Sequence, residues 1–179
     1  MGWAGFQELY KRKDRFDIRL LARDSKKNHK MLDEYAGDPS VTVIWGDLTR
    51  YEDVLAGVTG SDYVLHVGGM VSPAADYYPE KTLKVNVLAA ENVVKAVQAQ
   101  PNFDDIKVVY IGSVAQYGDR NPPCHWGDVN EPQNPAKFDM YALSKIRSEE
   151  IFAKAGFRNW VSLRQSGILY PGILKVVNP

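Results

Sequence analysis

Ile106-Lys-Val-Val-Tyr-Ile-Gly-Ser113 is an apolar run that closes on a glycine and a serine. Its hydrophobic residues follow one another from Val108 to Ile111 and do not alternate with polar ones, which is how a strand buried on both faces of a parallel sheet reads. Similar runs recur outward from it: Phe16 to Ala22, Val41 to Trp45 and Tyr63 to Val67 on one side, Trp160 to Leu163 on the other. Helix-like stretches separate them. From about Glu80 to Gln98, the residues Leu83, Val87, Ala90, Val94 and Val97 return at three- and four-residue steps and put one apolar stripe on a helix, which Pro101 and Asn102 close. The next helix is expected to run to about Ala155, with Asp139 as its N-cap and Gly156 as its stop. Alternating strand and helix implies right-handed crossovers and a doubly wound parallel sheet, the α/β class.

Composition narrows what such a chain can do. Its 179 residues are 45% hydrophobic and 25% charged, an ordinary globular balance, and neither a repeat nor a linker divides them. Twenty-two basic residues offset 22 acidic ones, so neither a nucleic acid nor an anionic membrane is indicated as a partner. Apolar runs fall well short of the roughly 20 residues that span a bilayer, and the first residues lack the order of a signal peptide. A cytoplasmic location is therefore expected. Cys124 stands alone and His29, His66 and His125 are scattered without ligand spacing, so no metal site is expected and the histidines read as structural or solvated.

Chemistry concentrates in Tyr141-Ala-Leu-Ser-Lys145, where tyrosine and lysine four apart project from one helix face. An ammonium beside a phenol stabilises the phenolate and lets it exchange protons with a hydroxyl or carbonyl near neutral pH. With 10 tyrosines in the chain the spacing alone means little, and Tyr77 and Lys81 repeat it. Pro79 inside that second copy argues against a continuous helix there, whereas Tyr141 follows an N-cap. Ser113, at the end of the preceding strand, can hydrogen-bond the same substrate oxygen. Between them the stretch from Gly118 to Phe138 carries Pro122, Pro123, Pro132 and Pro135 and little periodicity, the mark of a functional loop.

Taken in order, the serine after a buried strand, the Ala115-Gln-Tyr-Gly118 tail and the Tyr141/Lys145 pair resemble the extended short-chain dehydrogenase/reductases, the NAD-dependent epimerase/dehydratase type. The resemblance runs through the chain. It implies a Rossmann-like domain over residues 1–179 that takes NAD or NADP, with a small carbonyl or hydroxyl compound, a sugar nucleotide among the candidates, as substrate. It also leaves room for a homodimer. Trp45-Gly-Asp47-Leu48 resembles the turn whose aspartate side chain and following amide meet the adenine. Leu65-His-Val67-Gly68-Gly69 resembles the loop that passes the phosphates and ribose. Asn86 stands where the family organises active-site backbone and water. Leu163 to Gly172 resembles the sixth strand and the turn near the nicotinamide, which puts Gln165 and Ser166 beside the cofactor, although Gln165 replaces a frequent proline there and Tyr170 a frequent glycine. Tyr141 would then move the proton, Lys145 bind ribose and tune Tyr141, and Ser113 position the oxygen. Arg23, with Lys26 and Lys27, stands where family reductases hold the NADP phosphate, which tilts the expectation toward NADP; a solvated basic loop is the other reading.

Departures from the pattern carry expectations of their own. The family begins with a strand and a glycine-rich turn, of which Gly2 would be the last glycine and Trp3 to Lys11 the following helix. The first strand and the C-terminal substrate region are expected to be missing, leaving the sheet order 3-2-1-4-5-6 without its centre. Val114-Ala115 replaces the acidic pair of sugar-nucleotide 4,6-dehydratases, which disfavours dehydration. Carbonyl reductase and sugar-nucleotide epimerase stay open, since both use one triad. Two further alternatives stand beside them, a non-catalytic dinucleotide sensor and an inactive fragment.

Overall fold

The computed structural model describes residues 1–119 and 128–168. Its elements are α1 (Gly2–Tyr10), β1 (Ile18–Ala22), α2 (Lys26–Leu32), β2 (Val41–Trp45), α3 (Tyr51–Val58), β3 (Tyr63–His66), α4 (Ala74–Tyr77), α5 (Pro79–Gln98), β4 (Lys107–Ser113), α6 (Met140–Lys154) and β5 (Trp160–Gln165). All strand pairs among the described residues are parallel. β1 pairs with β2, and β3, β4 and β5 form a second sheet in that order, with no ladder between β1 and β3 among the described residues. Parallel strands joined through helices are the expected α/β class.

Local signals account for the boundaries. α5 begins on Pro79, whose fixed φ suits the first helical turn and whose missing N–H is not needed there. α6 begins where the Asp139 carboxylate accepts the Ala142 N–H at 2.9 Å, and Gly156, with φ of 75°, takes the left-handed conformation that ends it. α1 starts one residue earlier than the sequence suggests and ends at Tyr10.

Two cores result. Phe6, Ile18, Leu32 and Tyr35 join α1 to the β1–β2 sheet, while Val54, Val58, Val93, Val97, Val108, Tyr110 and Phe152 are among those joining α3, α5 and α6 to β3–β5. One expectation is corrected. The continuous apolar runs suggest strands covered on both faces, but burial alternates in β3 and β5, and Tyr63, Leu65, Val161 and Leu163 are exposed. The cause is layering: α3, α5 and α6 share the core on the face that buries Val108 and Tyr110, and no described element covers the opposite face. The apolar stripe of α5 is also wider than its hydrophobic residues indicate. Thr82, Asn86 and Ala89 are buried beside Ala90, Val93 and Val97, and the small residues Ala142, Ser144 and Ser148 of α6 are buried with them.

Candidate active site

α6 supplies the centre of the site. Tyr141 and Lys145 lie one turn apart in it, and the Lys145 ammonium stands 5.8 Å from the centre of the Tyr141 ring. That ammonium donates to the Ile111 carbonyl at 2.8 Å, so the lysine reaches from the helix to the end of β4, two residues before Ser113. It is only 6% exposed, and burial lowers its pKa to about 8. An ammonium has three donors, and the bond to Ile111 leaves two for other partners.

Ser113 closes β4 and caps the short 3-10 turn Val114–Tyr117. Its Oγ accepts the Ala115 N–H at 3.2 Å, and its own N–H donates to Gln116 Oε1 at 2.8 Å. Because Oγ is held as an acceptor, its hydroxyl proton is free to donate to a third atom. The structure thus brings Ser113, Tyr141 and Lys145 to one corner, where β4 meets α6. It separates the rival pair: Tyr77 ends α4 and is 77% exposed, whereas Lys81 belongs to α5.

Asn86 is buried and ties three segments together. Its Oδ1 accepts the Met70 N–H at 2.7 Å, and its Nδ2 donates to the Met70 carbonyl at 3.0 Å and to Ser144 Oγ at 2.8 Å. The loop after β3 is thereby fixed to α5 and α6 beside the tyrosine. Ser144, the partner in this bond, carries no motif signal of its own and is legible only once the helices pack. His66, at the end of β3, is buried and stacked on Tyr110, and burial depresses its pKa to about 3. It is a neutral core residue. His29 stacks on Trp45 and pairs with Asp24 at 2.8 Å. Among the described residues no group of three His, Cys, Asp or Glu side chains could hold a metal.

The residues expected to hold a dinucleotide gather at the carboxyl ends of the strands, the side on which open α/β sheets bind ligands. After β2, Asp47 Oδ1 accepts from the Thr49 N–H at 2.8 Å and from its hydroxyl at 2.7 Å, and these bonds hold the carboxylate below its ordinary pKa. Asn92 of α5 anchors the Leu48 carbonyl at 2.9 Å. After β3, Val67 is half-buried while Gly68 and Gly69 are exposed. A Cβ on Gly68 would crowd the tip of the Leu48 side chain, and one on Gly69 would stand 3.0 Å from Asn86 Oδ1, so the two glycines leave the backbone of this loop bare in a tight space. After β5, half-buried Gln165 carries an Oε1 that is buried without a hydrogen-bond partner, next to exposed Ser166. A bare-backbone loop and an orphaned acceptor fit a nicotinamide dinucleotide lying along this edge. Arg23 is exposed just past β1, ahead of Lys26 and Lys27 at the start of α2. Gly2 opens α1 with free space where a Cβ would stand, so the geometry does not single it out. Cys124, His125 and Tyr170 to Gly172 lie outside the described residues.

Residues 4–166 match the family model described as "NAD dependent epimerase/dehydratase family". Over 126 residues the chain is 31% identical to 3 beta-hydroxysteroid dehydrogenase type 7 of Mus musculus, an alignment covering 69% of this chain and 33% of that protein. Over 85 residues it is 33% identical to UDP-glucose 4-epimerase of Rickettsia bellii (strain RML369-C), covering 47% of this chain and 25% of the epimerase. The UDP-Glc/GlcNAc 4-epimerase structure from Campylobacter jejuni superposes with a TM-score of 0.68 at 21% identity, over 83% of this chain and 45% of that one, a likeness of fold. The chain thus spans from a quarter to under half of the length of these proteins.

Proposed function

Because the chain belongs to the NAD dependent epimerase/dehydratase family, the extended short-chain dehydrogenase/reductases, we propose that it carries the cofactor site and proton-moving residues of an enzyme interconverting a hydroxyl and a carbonyl. One observation carries the reading: the Lys145 ammonium, held on the Ile111 carbonyl, stands beside Tyr141 and near Ser113 at the carboxyl end of β4.

A nicotinamide bound there would supply the hydride chemistry between hydroxyl and carbonyl. Asp47 and the Leu48 amide would meet its adenine, Gly68 and Gly69 its phosphates and ribose, and the unpartnered Gln165 Oε1 would accept from its carboxamide. The Tyr141 phenol oxygen gives or takes the substrate proton. Ser113 donates its free hydroxyl proton to the same substrate oxygen. Lys145 spends one donor on Ile111 and has two for the ribose hydroxyls. Asn86 holds the loop after β3 to α5 and α6 beside this corner.

Arg23, with Lys26 and Lys27 beside it, supports NADP over NAD. Relatives named as a hydroxysteroid dehydrogenase and as a UDP-sugar epimerase bracket the substrate class, and both names are compatible with this proton-moving set. The test is turnover by the full chain with NAD and with NADP, offering UDP-glucose in one arm and a 3β-hydroxysteroid in the other. Formation of reduced cofactor or of the UDP-glucose epimer supports the reading. Cofactor binding without turnover in either arm favours a dinucleotide sensor and overturns it.

A further inference from the structure

The stripe that presents Tyr141 and Lys145 continues for one more turn to Glu149. This carboxylate does not face solvent; its side chain is 12% exposed and lies against the other side of the Ser113 turn. Glu149 Oε2 accepts from Gln116 Nε2 at 3.0 Å and from Ser162 Oγ at 2.7 Å, and Arg164 of β5 grips both carboxylate oxygens. Burial pushes the carboxyl up, but bonds from Arg164, Gln116 and Ser162 outweigh it and hold the pKa below its ordinary value. Gln116 is fully buried with both ends of its amide engaged, Nε2 on Glu149 and Oε1 on the Ser113 N–H. A carboxylate can only accept, so it fixes which end of that amide turns toward Ser113. Gly112 leaves the space: a Cβ there would stand 2.8 Å from Gln116 Oε1 and 3.0 Å from Ser162 Oγ.

We propose that Glu149 is a positioning residue that, through the Gln116 amide, holds Ser113 in register with the tyrosine and lysine of its own helix. The inference rests on the reading of Ser113, Tyr141 and Lys145 as the reacting set. An ion pair that only braced α6 against β5 would need Glu149 and Arg164 alone. The relay to the Ser113 N–H adds a second strut between α6 and the end of β4, beside the one from Lys145 to Ile111. The two struts tie the end of β4 that carries Ser113 to the helix that carries Tyr141, and near-attack geometry is lost on displacements of about 1 Å.

Two variants of the full chain divide the possibilities. Gln116→Leu cuts the relay and leaves the Glu149–Arg164 pair intact; Glu149→Gln keeps the size of the side chain but removes its charge. Deuterium uptake by the segment 111–118 is read in both, together with kcat and cofactor KM for whichever probe, UDP-glucose or a 3β-hydroxysteroid, the wild type turns over. In Gln116→Leu, uptake should rise and kcat should fall by roughly 10- to 100-fold with cofactor KM little changed. Glu149→Gln should follow in the same direction, and it carries the test if Gln116→Leu does not fold. Unchanged uptake in the folded variants overturns the proposal, as does raised uptake with unchanged kcat. A wild type without turnover defeats the functional reading alone; the uptake comparison still decides whether Glu149 holds the turn.

Discussion

Single residues separate two motifs of identical spacing. Tyr77 with Lys81 and Tyr141 with Lys145 have the same spacing, yet only the second pair shares a helix and a buried corner. Tyr141→Phe keeps the ring and removes the proton carrier, so kcat should fall by about 10²- to 10⁴-fold while cofactor affinity holds. Tyr77→Phe should leave both unchanged. Steady-state rates and cofactor titration on the full chain check the pair, and damage confined to Tyr77→Phe would reverse the assignment. Arg23 is the second test at this scale. Charge-assisted hydrogen bonds to a 2′-phosphate contribute about 1.5 to 3 kcal/mol each, so Arg23→Ala should shift the NADP-to-NAD ratio of kcat/KM toward NAD by about tenfold or more. An unchanged ratio makes Arg23 a surface charge.

At the scale of the element, α6 carries a cost that pH exposes. Burial lowers Lys145 to about 8 in the folded chain, against an ordinary value of 10.5 when the chain unfolds. Between those values the unfolded state binds more protons than the folded one, so this lysine makes stability rise with pH from about 8 upward. The whole contribution is of the order of 3 kcal/mol. It is opposed at higher pH by Tyr110, whose phenol burial raises above its ordinary 10.0. Urea midpoints measured across this range should climb in the wild type and flatten in Lys145→Met. Catalysis should run the other way, because Lys145 loses above pH 8 the positive charge and the donor it brings to this corner. A rate that keeps climbing above pH 8, once cofactor and substrate are saturating, would detach Lys145 from the proton step. α5 contributes differently: its polar Asn86 is the clamp on the loop after β3, so the helix shapes the site through hydrogen bonds as well as packing.

Across the molecule the two cores are unequal. Among the described residues, four buried ones centre the β1–β2 unit, with Phe6 edge-on to Tyr35 at 4.7 Å, while the β3–β5 unit has twelve. The smaller core should open first. Phe6→Ala removes the ring that joins α1 to Tyr35 and should cost about 3 to 5 kcal/mol of local stability. Native-state hydrogen exchange should then show β1 and β2 amides exchanging faster with β4 amides little affected. Equal acceleration in β4 would mean that α3, which touches both units, makes them one cooperative body.

Element order, the strand positions, the Asp139 cap, the Gly156 stop and the helix break between Tyr77 and Lys81 were all legible in the sequence, because periodicity, capping chemistry and the position of a proline are local properties. The family was legible for a related reason: its motifs are short and follow one another along the chain. Tertiary structure alone decided which strand faces are covered, since an apolar run records that a residue prefers burial and not whether a layer exists to bury it. It alone revealed the roles of Ser144, Gln116, Glu149 and Asn92. Each acts through a polar partner distant in sequence, as Asn92 does on Leu48 and Gln116 on Glu149. A hydrogen bond of that kind leaves no periodic trace, because it depends on how two elements meet and not on the composition of either.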